Sequence, residues 1–407
     1  MRVTGATTRA FDEAVDAANG LTARWAERTD RGTVFSAAGV WPLLAFLADG
    51  ASGEARAQLA EAVGLPAERA ARVARESLVA LGGLRGVDAA LGLWTSRKLK
   101  VHQEWACGLP PHAHRELTGW RRSDRKALDA WAAELTGGRI PHLPVELSRG
   151  ALMVLASALA LKTRWIRPFT TGLASPGSGP WQGRKLAGLA RTTALLDRVG
   201  VADTPAGQVT DLRVVGTNGM DVHLLLGEEQ MTAGQVLKAG VGILAGRHRL
   251  VPGSRLPRGA AGPGVRVAEV PAFRPERPKL YASTVAFDIV AEHDLMAHAD
   301  LFGLGSASDG SAGHFPGISD SPLAITSAKQ SVMAAFTDRG FEAAVVTAVE
   351  MGEGSAPLPA KKYLKSEVYA TFDRPFGFLA VHRATGLVLV AGWVTEPQPY
   401  LEVRGAW

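Results

Sequence analysis

The run Asp338-Arg-Gly-Phe-Glu-Ala-Ala-Val-Val-Thr-Ala-Val-Glu-Met351 constrains this chain more than any other stretch. Taken with a period of two, Phe341, Ala343, Val345, Thr347, Val349 and Met351 share one face, whereas Glu342 and Glu350 fall on the other. This is the pattern of a strand with one side meant for burial. Yet the run passes into Gly352-Glu-Gly-Ser-Ala-Pro-Leu-Pro-Ala-Lys-Lys362, whose Gly, Pro and charge read as an exposed, mobile loop. Two readings stand open. One is an ordinary half-buried strand with a surface loop after it; the other is a segment that can exist in two places, outside a sheet and within it.

The remainder of the chain bounds the fold. Helical spacing dominates up to about residue 85, in Phe11, Ala14, Val15, Ala18 and Leu21, then Leu43, Leu44 and Leu47, then Leu59, Ala62 and Val63. Strand-like runs follow at Ala89-Ala-Leu-Gly-Leu-Trp94 and, after the turn signal Thr217-Asn-Gly219, at Asp221-Val-His-Leu-Leu-Leu226. A further helix is expected from Asp294 to Phe302. Loops are expected at Pro176–Pro180, Arg255–Gly264 and Gly305–Gly313. The chain has 407 residues, 46% of them hydrophobic and 21% charged, enough for a substantial core, and no linker or repeat divides it; the expectation is one domain. The single cysteine, Cys107, rules out an internal disulfide framework and reads as a small buried hydrophobe.

The first residues lack the apolar stretch of a secretory signal, and nothing approaches the about 18 apolar residues of a membrane span. The default expectation is a cytoplasmic protein. The net charge of +6 invites a polyanion partner. Arg97, Lys98 and Lys100, and Arg121, Arg122, Arg125 and Lys126, form the best local clusters; both are short, and a solvated basic surface explains them as well. His112 and His114 have no third ligand at plausible spacing, so no metal site is expected. Gly352-Glu-Gly-Ser355 lacks the spacing of a nucleophile elbow, and neither a zinc helix nor a phosphate-binding loop is present, so no enzyme activity is expected.

Several segments, in order along the chain, carry a family resemblance. They are Val34-Phe-Ser-Ala-Ala-Gly-Val40, Asp49-Gly-Ala-Ser-Gly-Glu-Ala-Arg-Ala-Gln-Leu59, Trp131 with Leu135-Thr-Gly-Gly-Arg-Ile140, and Ala156–Phe169 with its Trp165. Val270-Pro-Ala-Phe273, Phe315-Pro-Gly-Ile318, Phe372-Asp-Arg-Pro-Phe-Gly-Phe-Leu379, Thr385-Gly386 and Val390-Ala-Gly-Trp-Val394 follow. Along almost its whole length the chain resembles the serpin family. The abundance of Ala, Gly and Arg hints at a GC-rich bacterial genome.

The resemblance implies a mixed α+β fold, eight or nine helices on three β-sheets, with an exposed reactive-centre loop near residues 340–365. It also implies a suicide inhibitor of a serine protease. The loop is cut as a substrate, and its hinge strand then inserts into the central sheet before the acyl-enzyme can hydrolyse. A metastable starting fold is needed for this. The hinge maps to Asp338, Gly340, Phe341, Glu342, Ala343 and Ala344, with Gly340 supplying backbone freedom and the alanines low steric cost.

Several positions depart from the family pattern. Phe341 stands where Thr or Ser is usual, and its ring would have to be buried during insertion, which would slow it and favour hydrolysis. Asp338 stands for Glu. In the sheet-opening region, which also includes Trp165, Ser36 is retained, but Gly39, Ser157 and Gln330 replace Ser, Asn and His. The loop from Gly340 to Pro375 is long. The usual distance from Asp338 puts the reactive bond at Gly354-Ser355, suiting an elastase- or subtilisin-like protease, with Met351, Lys361 and Lys362 as rivals; a lysine would suit a trypsin-like enzyme. A monomer without cofactor is implied; many relatives act outside the cell, which leaves that location open beside the cytoplasmic default. The other reading is a non-inhibitory member that binds a ligand or partner while its loop is a mere substrate.

Overall fold

In the computed structural model, residues 5–110, 113–143, 145, 147, 151–310, 313–341 and 363–401 are described. The N-terminal part is helical, as its spacing requires. α1 (Gly5–Ala26) is followed by the short strand β1 (Thr33–Phe35), then α2 (Ala37–Gly50), α3 (Gly53–Val63) and α4 (Ala67–Gly82). The Ser36 hydroxyl caps α2 by accepting from the Gly39 amide at 3.0 Å. α2 is apolar nearly all round and buried nearly all round. α3 stops where Gly64 takes a left-handed φ of 73°.

Next come β2 (Val87–Ser96), α5 (Gln103–Cys107), β3 (His114–Leu117), α6 (Arg121–Leu135) and β4 (Met153–Leu161). They lead into β5 (Thr163–Arg164), β6 (Thr170–Ala174), β7 (Leu186–Thr193), β8 (Val199–Thr204), β9 (Gly207–Val215) and β10 (Met220–Gly227). Asn218 and Gly219, the latter at a φ of 83°, turn β9 into β10. α7 (Ala233–Leu244) opens with a reciprocal cap between Thr232 and Gln235. Then follow β11 (Leu250–Pro252), β12 (Gly259–Gly262), β13 (Val265–Ala272), β14 (Lys279–Val285), β15 (Phe287–Asp294), α8 (Ala299–Phe302) and β16 (Ile325–Phe336). The last strands are β17 (Gly340–Phe341), β18 (Tyr363–Thr371), β19 (Phe376–His382) and β20 (Leu387–Val394).

The described residues thus make eight α-helices and three sheets, the expected α+β architecture. One sheet runs β1-β20-β19-β10-β9-β8-β11 and a second β12-β13-β18-β14-β7-β6. The central sheet runs β3-β2-β4-β16, with β15 also on β16, and β17 and β5 at its end. All nine residues of β4 are buried, which is why its sequence shows no polar alternation. Val154, Ala156 and Ala158 face Leu128 and Trp131 of α6, whereas Met153, Leu155 and Leu159 join the main core with α2.

Three expectations need correction. Cys107 is exposed: it ends the short α5, whose buried anchor is Trp105. The stretch 255–264 is not all loop, because Gly259–Gly262 forms edge strand β12 on β13. The helix at 294–302 is a 3-10 turn, Leu295–His298, followed by the one-turn α8, which Gly303 ends at a φ of 67°. Among the described residues no helix is long and apolar enough to cross a membrane.

Candidate functional site: the closed slot of the central sheet

β4 and β16 run parallel and are paired from Met153/Ile325 to Leu159/Val332. Beyond that point they part. The two residues of β17 fill the wedge, Phe341 pairing with Phe336 of β16 on one side and with Thr163 of β5 on the other. The slot between β4 and β16 is therefore closed along its length and holds the start of a strand only at its mouth.

Under the middle of the slot, the structure brings Ser36, Gly39, Ser157 and Gln330 together, all buried. The Gln330 carboxamide accepts from the Ser36 amide at 2.9 Å, donates to the Ser36 carbonyl at 2.8 Å and reaches the Ser157 hydroxyl at 3.5 Å. Ser157 donates to the Gly39 carbonyl at 2.8 Å, and Ser36 donates to the Leu389 carbonyl of β20 at 2.6 Å. Both facing strands are thus tied to the start of α2, β16 by two good bonds and β4 by one. A Cβ at Gly39 would stand 2.9 Å from the Ser157 hydroxyl, so a larger residue there has to push that side chain aside.

At the mouth the chemistry changes. Asp338 and Arg339 make the hairpin turn from β16 to β17, closed by the Thr337 amide donating to the Gly340 carbonyl at 2.9 Å. The Trp165 amide donates to Arg339 and the Phe169 amide to Asp338, at 2.9 and 2.8 Å, and the Trp165 indole N–H donates to the Thr337 carbonyl at 2.9 Å. Around the turn lies a cluster of rings. Phe336 packs on Trp165 (centroids 4.8 Å apart), Phe169 (5.7 Å) and Phe287 (5.5 Å), and Phe341 on Phe378 (5.8 Å).

One expectation changes at this point. Phe341 does not wait to be buried during insertion; it is 1% exposed already and belongs to the core. Gly340 is not in the left-handed region, and here it serves close approach, since a Cβ would lie 2.3 Å from the Thr163 carbonyl oxygen. Glu342, Ala343, Ala344, Met351, Gly354, Ser355, Lys361 and Lys362 lie outside the described residues.

On the far side of that segment the chain re-enters as β18, between β13 and β14. Lys365 bridges Glu367 at 2.8 Å and Glu276 at 3.1 Å, and its ammonium is held charged well above its usual range by those two hydrogen-bonded carboxylates. Buried Glu367 also accepts from Tyr281 (3.2 Å) and Tyr369 (2.5 Å), whose rings stack 5.1 Å apart. Sequence reading missed this clasp and Thr337. The Lys365–Glu367–Tyr369 alternation was the available signal for the first, and Thr-Asp-x-Gly as a turn for the second.

The other candidates are dispersed. His114 bonds Thr95 at 2.7 Å, its imidazole pushed down by burial, while His112 lies outside the described residues. No group of metal-binding side chains occurs among the described residues. Arg97 pairs with Glu116 at 3.3 Å, and Arg125 bonds the Leu143 carbonyl. Lys98, Lys100, Arg121, Arg122 and Lys126 are exposed.

Comparison with known proteins fits this geometry. The family profile described as serpin (serine protease inhibitor) matches residues 14–177 and 285–397. The chain belongs to the serpin family. A putative serpin-Z6C of Oryza sativa subsp. japonica is 24% identical over 393 residues, covering 89% of this chain and 90% of that protein. Human thyroxine-binding globulin complexed with thyroxine superposes with a TM-score of 0.70 at 17% identity, covering 96% of this chain and 99% of that one. Native protease nexin-1 with heparin gives 0.69 at 17% identity, covering 95% and 99%. At such identities the solved structures establish the serpin fold of this chain and nothing about its ligands.

Proposed function

We propose that this serpin inhibits a serine protease as a suicide substrate, acting as a single-domain monomer without cofactor or catalysis of its own. The observation that supports this reading is the slot: β4 pairs directly with β16, and β17 already stands at its mouth, in line to continue inward. The protease serine would attack the carbonyl of Gly354, forming an ester as the Gly354–Ser355 bond breaks and the protonated amine of Ser355 leaves. The freed strand would then extend β17 down the slot. One parallel ladder would be exchanged for two antiparallel ones, a net gain on the order of 5–10 kcal/mol for a strand the length of β4. A small residue before the bond suits an elastase- or subtilisin-like target.

A second reading has one observation in its favour. The burial of Phe341 anchors the hinge, and a serpin whose hinge stays anchored would act through a bound ligand or partner, its loop merely cut. Incubation with subtilisin, elastase and trypsin separates the two. Inhibition predicts a band at the summed mass that survives denaturation, with a released peptide beginning at Ser355. Clean loop cleavage with every protease still active would support the second reading.

A further inference from the structure

Beside the mouth of the slot, a cavity of about 60 Å3 is lined by Arg167, Arg191 and Arg198 together with Ile166 and Leu195. Three guanidinium groups converge there from three separate pieces of chain: the link after β5, the strand β7, and the 3-10 turn Leu196–Arg198. Among the described residues none of the three makes an ion pair. Asp221, the carboxylate that acts on Arg198, is already engaged by Arg213 (2.7 Å) and by Arg383 (2.6 Å). Arg191 is held in place from below, its guanidinium 4.5 Å over the Phe169 ring and donating to the Arg167 carbonyl at 3.0 Å. Burial, reinforced by the charges of Arg198 and Arg167, pulls its pKa down to about 10. Like charges gathered in a half-buried site repel strongly unless something between them carries the opposite charge. Guanidinium forks match the oxygens of phosphate and sulfate, and Ile166 and Leu195 expose 57% and 53% of their surface at the rim.

We propose that this cavity is a binding site for a tetrahedral oxyanion, a phosphate or sulfate group held by Arg167, Arg191 and Arg198. A cavity of this size takes one such group and no large ligand. If the group belongs to an ester, its apolar body rests on Ile166 and Leu195. The site is distinct from the exposed basic clusters at residues 97–100 and 121–126. It lies on the back of Phe169, the residue whose amide holds the Asp338 turn.

The test is calorimetric titration of the full chain, in a low-salt chloride buffer, with inorganic phosphate, inorganic sulfate and phenyl phosphate. Saturable one-site binding is expected, with a matching rise in melting temperature. The Arg167→Gln/Arg198→Gln variant should lose affinity by about tenfold or more, and its melting temperature should no longer respond to phosphate. Both side chains reach solvent, so the variant should fold, and its melting in chloride alone should be unchanged or higher. Arg121→Gln/Arg122→Gln should bind as the parent does. Tighter binding of phenyl phosphate would identify an ester as the occupant, and equal affinities the free anion. Absence of saturable binding, or equal loss in both double variants, would overturn the proposal.

Discussion

Ser36, Gly39, Ser157 and Gln330 meet under the middle of the central sheet, whereas Trp165, Phe169, Phe336 and Phe341 meet at its end. The first ties the paired β4 and β16 to the start of α2. The second ties β16 and β17 to the chain after β5, where β4 and β16 have parted, and the two hold the sheet closed by opposite means. The middle is polar and fully hydrogen-bonded, so it resists opening because any parted group is left buried without a partner. The end is aromatic and resists because rings would lose contact and burial. The polar junction has an easy side, the single bond of Ser157. The aromatic one has no such seam, and its indole N–H is bonded to the turn it encloses. We infer that separation of the strands starts on the β4 side of the middle and that the end decides how fast the hinge follows.

That contrast can be broken at either place, and the aromatic end should give the largest effect. Trp165→Ala removes a buried ring and a hydrogen bond and should cost about 3–5 kcal/mol in chemical denaturation. Phe341→Thr restores the residue usual in the family but empties a core position. It should cost about 2–3 kcal/mol and, by freeing the hinge, raise the fraction of protease trapped. Trapping unchanged beside lowered stability would remove the anchoring role.

In the middle, Gly39→Ala should cost about 1–3 kcal/mol by forcing a methyl group onto Ser157, and part of that cost should vanish in Gly39→Ala/Ser157→Ala. Simple additivity would mean that the clash is relieved elsewhere. Ser157→Ala alone should cost about 1 kcal/mol, and Gln330→Leu, which strands two Ser36 backbone groups, about 1–3 kcal/mol. The order of these two tests which strand is the looser.

The smallest effect is on pH. Gln330 has no proton to gain where the family usually carries histidine, but His293 pairs with it across β15 and β16 and donates to the Val34 carbonyl at 2.8 Å. Burial pushes the His293 imidazole below its ordinary 6.5, with the charges of His298 and Arg31 acting in the same direction and the Val34 bond against it. The unfolded ring therefore takes its proton at higher pH than the folded one. Stability is whole above 6.5 and is lost as pH falls from there through the folded value. His114 and His382, also lowered by burial, act with the same sign. Melting curves from pH 7.5 to 5 should show a fall that His293→Gln reduces; an unchanged slope would place the titration elsewhere.

How much of this was legible in the sequence depended on the range of the interactions. The helices of the first 85 residues and the β9–β10 hairpin were readable because spacing and turn residues act locally. The α+β fold and the identities of Ser36, Gly39, Ser157, Gln330 and Trp165 came from family resemblance. Their spacing in the chain says nothing of their meeting, since a bond such as Gln330 to Ser36 spans almost three hundred residues. Phe341 was misjudged for the same reason: its partners Phe336, Thr163 and Phe378 come from three different strands. Cys107 looked like a core residue by type, but the end of a five-residue helix anchored by Trp105 leaves it outside. The arginine cavity left no local trace at all, because its three guanidinium groups belong to three unrelated stretches.

The central claim is that the slot between β4 and β16 awaits a strand. Its most direct test is the melting temperature before and after a single proteolytic cut within residues 342–362, with the two fragments kept together. If the cut strand fills the slot, the nicked protein should melt about 10 °C or more above the intact one. Equal or lower melting after the cut would contradict the account.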